Sequence, residues 1–204
     1  MQLSTQRQAV SVDRFRYHSS VPFETAEFRL RSSIQRADHP LEWTHLTGDD
    51  TGAGAGEGAT AARPRDKESF VAMVESHLGP HGFAYFAEFN HGSWLRLFRP
   101  QTSTITTSDA EQRDLRCIRF ILGNPLIAIT LLRHDLDAGL SVPVELYLVE
   151  EADPGSITTG TKCVWYRPSG LVAGYEGATQ ELVDAAKKLD AKLEALVRWV
   201  LSDD

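Results

Sequence analysis

Apolar residues show their clearest period near the C-terminus of the chain. They recur there at steps of three and four, as expected for one face of an α-helix. The series comprises Leu182, Ala186, Leu189, Leu193, Leu196 and Val200. Glu194 and Arg198 stand four residues apart on the polar side, where opposite charges attract each other across one helical turn. The pattern therefore predicts a long amphipathic helix that lies across a sheet.

Two shorter helices are predicted nearer the N-terminus. The first follows Ser20-Val21-Pro22, because serine caps free backbone N–H groups and proline is tolerated in the first turn. Its apolar stripe consists of Phe23, Ala26, Leu30 and Ile34. The second spans residues 66–78, with Asp66 as its N-cap and Gly79-Pro80 as its stop. Its apolar face consists of Phe70, Val74 and Leu78.

Five further segments are apolar or aromatic and bounded by turn residues, which is typical of β-strands. They cover residues 12–18, 82–90, 115–122, 143–150 and 161–167. The aromatic-rich second segment is predicted to be a central strand, and Asp153-Pro154-Gly155 predicts a hairpin between the last two. The sequence therefore predicts one α+β domain over residues 12–204, with a mainly antiparallel sheet of about five strands and two or three packed helices.

Residues 47–65 differ in composition from the rest of the chain. They are rich in glycine and alanine and lack large apolar groups, so burial cannot offset the entropy of ordering them. We predict a flexible insertion within the domain. Its Gly54-x-Gly56-x-x-Ala59 formally matches a dinucleotide-binding fingerprint. That fingerprint needs a strand directly before it and a helix that begins within it, whereas here residues 45–50 precede it and Arg63-Pro64 follows it.

The overall charge narrows the range of partners. The chain of 204 residues carries a formal net charge of −7 at pH 7, whereas nucleic acids and anionic membranes attract basic surfaces. We therefore predict no nucleic-acid partner and no membrane partner. The N-terminal segment lacks the apolar core of a secretory signal, and Cys117 and Cys163 lie in separate apolar segments. Both cysteines are predicted to be buried free thiols of a cytoplasmic protein.

The segment from Gly123 onward joins a tight turn to an apolar run, residues 126–132, and then to Arg133, His134 and Asp135. As one helix over residues 126–140, it would bury Ile129, Leu132, Leu136 and Leu140. His134 would then point away from that face, toward solvent or another subunit. The three ionisable side chains are therefore predicted at the rim of a ligand site or on a subunit surface.

Arg116 and Arg119 fall on opposite faces of the predicted third strand, so the two side chains cannot bind the same group together. A buried arginine needs a carboxylate partner. Glu88 and Glu145 are the candidates on neighbouring strands. An anionic ligand is the functional alternative.

His91 is the strongest candidate for proton transfer. It follows the aromatic strand in FNHGSWL, where an imidazole can face a pocket as an acid, a base or a hydrogen-bond donor. Asn124 and Tyr166 are predicted to supply hydrogen bonds to a ligand, with Arg133, His134 and Asp135 at the rim. The leading hypothesis is a protein that binds a small, mostly apolar molecule between the sheet and its helices. Cofactor-free acid–base catalysis of the isomerase, lyase or cyclase type is an optional extension of this hypothesis.

Two other functions fit the same residues. Segments 123–125 and 133–135 can equally form the interface of a homodimer with a non-enzymatic binding or accessory role. Haem or metal binding is the weaker alternative, because the histidines have no partners at recognised ligand spacings. His77 and His81, for example, are separated by a helix-breaking Gly79-Pro80. We therefore predict no metal and no cofactor.

Several short motifs, taken in order, resemble domain-of-unknown-function family 302. They fall on Gly82-Phe83, Asn90-His91, Gly123-Asn124-Pro125, Val142-Pro143 and residues 166–169. The match covers residues 69–175 and extends to residue 12 through the first strand and helix. The resemblance implies a TATA-binding-protein-like fold of β-α-β4-α order that is often dimeric. Asn90 stands where the family commonly has aspartate, and the family has no established activity, so the resemblance implies a fold and not a function.

Overall fold

The computed structural model describes residues 3–34, 64–98, 116–152 and 159–203. The glycine- and alanine-rich insertion predicted at residues 47–65 lies outside the described residues except for its last two. The turn predicted at Asp153-Pro154-Gly155 also lies outside them. The elements that carry the predicted sheet and helices are all described.

Five strands form one antiparallel sheet in the order β1-β5-β4-β3-β2. They are β1 (Arg14–Ser19), β2 (Ala84–Asn90), β3 (Cys117–Gly123), β4 (Val144–Ala152) and β5 (Thr159–Tyr166). The predicted α+β class is confirmed. The prediction that β2 is central was wrong, because β2 is an edge strand whose Phe89 remains 50% exposed. Aromatic residues suit a half-buried edge as well as a centre.

Six α-helices accompany the sheet in the part of the chain that the structure describes. They are α1 (Phe23–Ile34), α2 (Lys67–His77), α3 (Gly92–Leu95), α4 (Pro125–Leu132), α5 (Pro168–Ala173) and α6 (Gln180–Val200). Asp66 caps α2 as predicted, accepting a hydrogen bond from the backbone N–H of Ser69. Within the described ranges, no helix is both long and apolar enough to cross a membrane.

The core lies between one face of the sheet and the apolar stripes of α1 and α6. All ten residues predicted to form these two stripes are buried. The facing side of the sheet contributes Ile118, Phe120, Leu122, Leu146, Leu148, Cys163 and Trp165. Each fully buried leucine stabilises the fold by roughly 1.5–3 kcal/mol. Cys117 and Cys163 are buried free thiols as predicted, and burial raises the pKa of Cys163 to about 12.

The predicted helix over residues 126–140 was wrong in its second half. Helix α4 ends at Leu132, and a 3-10 segment, Leu136–Ser141, follows with Asp135 as its N-cap. Leu131 is buried, whereas Ile129, Leu136 and Leu140 are 49%, 80% and 95% exposed. The cause is local: the Asp135 carboxylate accepts a hydrogen bond from the backbone N–H of Asp137, which starts a new element.

Glu150 is the only charged residue in the buried core of the described ranges, at 1% exposure. Its carboxylate accepts hydrogen bonds from Nε and from the backbone N–H of Arg116, both at 3.1 Å. The same guanidinium donates to Glu24 at 2.6 Å and lies 4.6 Å from the ring centre of Phe23. Arg116 therefore connects β3 and β4 to the first turn of α1.

The carboxylate partners predicted for the two arginines need one correction. Arg119 pairs with Glu145, as predicted, on the exposed face of the sheet. Glu88 instead pairs with Arg31 of α1 at 2.5 Å. The buried ion pair uses Glu150, because this residue shares the buried face of β4 with Leu146 and Leu148 and its carboxylate therefore points toward the core.

We expect Arg116→Ala to lower the free energy of unfolding by about 3 kcal/mol, because it removes the guanidinium that pairs with the buried Glu150 carboxylate. Adding Glu150→Gln should recover part of this loss, because the neutral side chain removes the buried charge. Urea unfolding of the single and double variants measures both effects.

Arg119→Ala is the matched control, since Arg119 lies on the same strand and its pair with Glu145 is exposed. It should cost less than about 1 kcal/mol. Equal losses for the two arginine variants would show that burial of Glu150 does not set the energy of the Arg116 pair.

Candidate functional site

Two of the predicted site residues, Asp135 and Tyr166, line one cavity of about 990 Å³. The cavity lies among the 3-10 segment, the start of β4, the end of β5 and helix α5, with the N-terminal residues Gln8 and Val10 on one side. The antiparallel pairing of β4 with β5 sets Tyr166 beside the start of β4. The chain therefore brings together residues that are distant in sequence.

The walls of the cavity are mostly apolar. They include Val10, Leu136, Leu140, Pro143, Leu171 and Val172. The polar groups are Gln8, Asp135, Asp137, Ser141, Glu145, Tyr166 and Tyr175. Three of these are carboxylates, and none of the described residues lining the cavity is lysine or arginine. Among the ion pairs of the described residues, Glu145 alone of these three carboxylates has a cationic partner, Arg119, so the described lining carries a net negative charge.

Asp135 and Tyr175 form the best-defined polar contact of the cavity. The Tyr175 hydroxyl donates to Oδ2 of Asp135 at 2.5 Å, while Oδ1 accepts from the backbone N–H of Asp137 at 2.9 Å. The carboxylate is therefore held in place from both sides. The hydrogen bond to Asp135 is the main cause that raises the pKa of Tyr175 above its ordinary value of 10.0, and burial of the hydroxyl is the second cause.

Helix α5 is fixed against α6 by a second carboxylate. Asp190 accepts hydrogen bonds from the backbone N–H of Ser169 at 2.8 Å and from its hydroxyl at 2.5 Å. These bonds satisfy the first turn of α5, which has no side-chain bond from its own cap residue, Arg167. The cavity wall formed by Leu171 and Val172 is thereby anchored to the longest helix.

Asn124 serves mainly as a cap and a connector. Its side chain accepts from the backbone N–H of Leu126 at 2.8 Å and donates to the carbonyl of Gly82 at 3.0 Å. It starts α4 and holds the loop that precedes β2. Asn124 also borders a second, smaller pocket of about 290 Å³.

Arg133 and His134 do not line the cavity that contains Asp135. Both are exposed, and they border a shallow surface with Glu181, Asp184 and Lys188 of α6. The backbone turns after Leu132, so these two side chains point toward α6 while Asp135 points toward α5. The three adjacent residues predicted as one rim are divided between two surfaces.

His91 lies apart from both the cavity and the smaller pocket. Its ring packs beside Phe89, Trp94 and Tyr147, with ring centres 6.4, 5.5 and 5.9 Å away. Burial, and then hydrogen bonding to Cys117, raises the pKa of Tyr147. His91 therefore belongs to an aromatic cluster at the far end of β2 from Asn124.

Tyr175 is the site residue that the sequence reasoning missed. It stands between Gly174 and Gly177 in the turn that joins α5 to α6, and Gly177 has a positive φ of 91°. A tyrosine in a glycine-rich turn is a usable signal, because such turns lie at the surface, where an aromatic side chain is often involved in binding.

Within the described ranges, no group of three or more His, Cys, Asp or Glu residues is placed to hold a metal ion.

We expect Asp135→Asn to bring the pKa of Tyr175 down toward 10, because the variant removes the negative charge that favours the neutral phenol. Asparagine still caps the 3-10 segment, so the backbone should keep its course. Titration of the tyrosine Cζ signals by NMR measures the change. Tyr85, whose pKa is raised mainly by burial, is the internal control and should not move.

The Asp135–Tyr175 hydrogen bond also predicts how the stability of the fold changes at alkaline pH. Because the pKa of Tyr175 is raised on folding, its contribution to stability is complete below about pH 10 and is lost as the pH rises further. Tyr175→Phe should therefore flatten the alkaline decline of the unfolding free energy. An unchanged decline would mean that the Asp135–Tyr175 bond is not maintained in solution.

Comparison with known proteins identifies the family. The family model described as "Domain of unknown function DUF302" matches residues 60–196. Among solved structures, the chain is similar to an uncharacterized conserved protein DUF302 from Bacillus stearothermophilus, with a TM-score of 0.51 and 15% identity over 93% of this chain and 98% of that chain. No curated protein matches it. The structural likeness shows a shared fold, and the family match shows that the chain belongs to the family of domain of unknown function DUF302.

Proposed function

We propose that the protein binds a small, mostly apolar molecule in the 990 Å³ cavity beside α5. The observation that carries the proposal is the cavity itself, which combines apolar walls with a few polar groups at fixed positions. That combination is typical of small-molecule sites, and the volume is within their usual range.

The charges of the cavity define the chemical class of the ligand. Carboxylates accept hydrogen bonds and donate none, so Asp135 and Asp137 favour a ligand that carries a hydroxyl or an ammonium group. An anionic ligand would be repelled, and the lining offers no described lysine or arginine to compensate it. We therefore infer a neutral or cationic ligand with a hydrogen-bond donor.

Acid–base catalysis by His91 has less support than binding. The imidazole packs against three aromatic rings and does not line the cavity. Within the cavity, Asp135 is the best placed proton acceptor, because the hydroxyl of Tyr175 orients its carboxylate. Any proton transfer on the bound molecule is therefore assigned to Asp135 in this proposal.

A homodimer is the second candidate, and one observation favours it. Leu136 and Leu140 of the 3-10 segment, which also border the open side of the cavity, are 80% and 95% exposed, and Ile129 is half exposed on the neighbouring α4. Leucines this exposed on one segment are typical of an association surface. Sedimentation of the wild type and of a Leu136→Ser/Leu140→Ser variant tests this: a dimer held by this surface should dissociate, whereas an unchanged sedimentation rate removes the candidate.

The binding proposal is tested with N-phenyl-1-naphthylamine, a neutral probe that fluoresces on entering an apolar site. We expect saturable binding of one probe per chain. Ser141→Phe should weaken it at least tenfold, because the new ring fills the space that Ser141 lines. Ser32→Phe places the same ring on the exposed side of α1 and should leave binding unchanged.

A negatively charged analogue of the probe tests whether the cavity excludes anions. The probe 1-anilinonaphthalene-8-sulfonate has the same ring system with an added sulfonate. We expect it to bind at least tenfold more weakly than the neutral probe, and Asp137→Asn should narrow the gap. Equal affinities would contradict the assignment of a neutral or cationic ligand, and binding that Ser141→Phe does not affect would contradict the site.

A further inference from the structure

The smaller pocket is a distinct apolar space next to the cavity. It measures about 290 Å³ and lies between α4, the start of β4 and the loop before β2. Its walls include Phe83, Phe86, Ile127, Leu132, Val142 and Leu189. An apolar cavity of about 150 Å³ is enough to hold benzene, so this pocket has room for a ring or a short hydrocarbon chain.

Asn124 is the one polar side chain among the residues that line the pocket, and it is already engaged with the backbone. Its amide accepts from the backbone N–H of Leu126 and donates to the carbonyl of Gly82. A polar guest would lose hydrogen bonds with water and find few replacements among these walls. The pocket therefore selects an uncharged, apolar group.

The pocket and the cavity share a wall. Pro143 and Val144 line both spaces. The preceding segment contributes to them alternately: Ala138, Leu140 and Ser141 border the cavity, whereas Gly139 and Val142 border the pocket. One stretch of chain, residues 138–144, therefore lines both spaces, and Pro143 and Val144 are common to the two.

We propose that the two spaces are compartments of one binding site, and that its ligand is an amphipathic molecule. A donor head group, a hydroxyl or an ammonium, binds at Asp135, and the hydrocarbon tail passes Pro143 to fill the pocket beside α4. This inference rests on the proposed binding function and extends it by naming the ligand class. It also gives the Gly-Asn-Pro turn a role, because Asn124 caps the helix that forms the tail compartment.

A series of straight-chain primary alcohols from butanol to nonanol tests this on the unmodified protein by calorimetric titration. We expect affinity to rise about fourfold per methylene, the increment for transfer of a methylene out of water, and to keep rising until the tail compartment is full. Ala128→Leu places a larger side chain in the pocket and should stop the rise at the shorter chains, while butanol binds as before. Ala191→Leu makes the same change on the exposed side of α6 and should behave as wild type.

The two proposals fail differently. If Ser141→Phe lowers the affinity for every alcohol but Ala128→Leu does not change the affinity for the long ones, then the alcohols bind in the cavity and the tail compartment is contradicted. If the affinity of the wild type stops rising already at the short alcohols, the wild-type data alone contradict the tail compartment. If Ser141→Phe weakens none of the alcohols, the cavity is not the site and the proposed function itself fails.

Discussion

The buried carboxylate of Glu150 is the constraint that fixes how the layers of this molecule meet. A charge removed from water costs several kcal/mol unless it is paired and hydrogen-bonded. Arg116 supplies that pairing while also reaching Glu24 and covering the ring of Phe23. The first turn of α1 is thus held over one end of β4, and its apolar stripe falls on the buried face of the sheet. The other end of β4 is left to form the wall shared by the cavity and the pocket.

The sequence predicts those elements in which burial is one-sided. In α1 and α6, polar residues separate the apolar ones at a helical period, so the buried face can be identified from their order. Residues 126–132 are apolar on every side, and such a run has no period from which a face can be inferred. The end of α4 is instead decided by one local hydrogen bond, from the backbone of Asp137 to Asp135, which competes with continued helix.

The site is less predictable than the fold because it depends on strand register. Asp135 and Tyr166 are polar residues next to apolar elements; the pairing of β4 with β5 places Tyr166 beside the start of β4, and the bond from Tyr175 holds Asp135 at the same cavity. The pairing of β2 with β3, and of β3 with β4, places His91 near the opposite end of β4. Tyr175 could be found only once α5 and α6 were placed, because its partner lies in a different part of the chain. Residue type therefore suggests candidates, and long-range geometry selects among them.

The position of β1 has a consequence for how this chain folds. Tyr17 pairs with Cys163, so the first strand of the sequence completes the sheet only against the last one. During synthesis the N-terminal strand has no partner until most of the chain has emerged from the ribosome, while β2, β3 and β4 can already associate as sequential neighbours. Closing so long a loop has an entropic cost, but this cost increases only slowly with the number of residues in the loop. The number of residues between α1 and α2 therefore has little effect on the free energy of the fold. Contacts between distant segments slow folding, so the pairing of β1 with β5 affects the folding rate of this chain more than its stability.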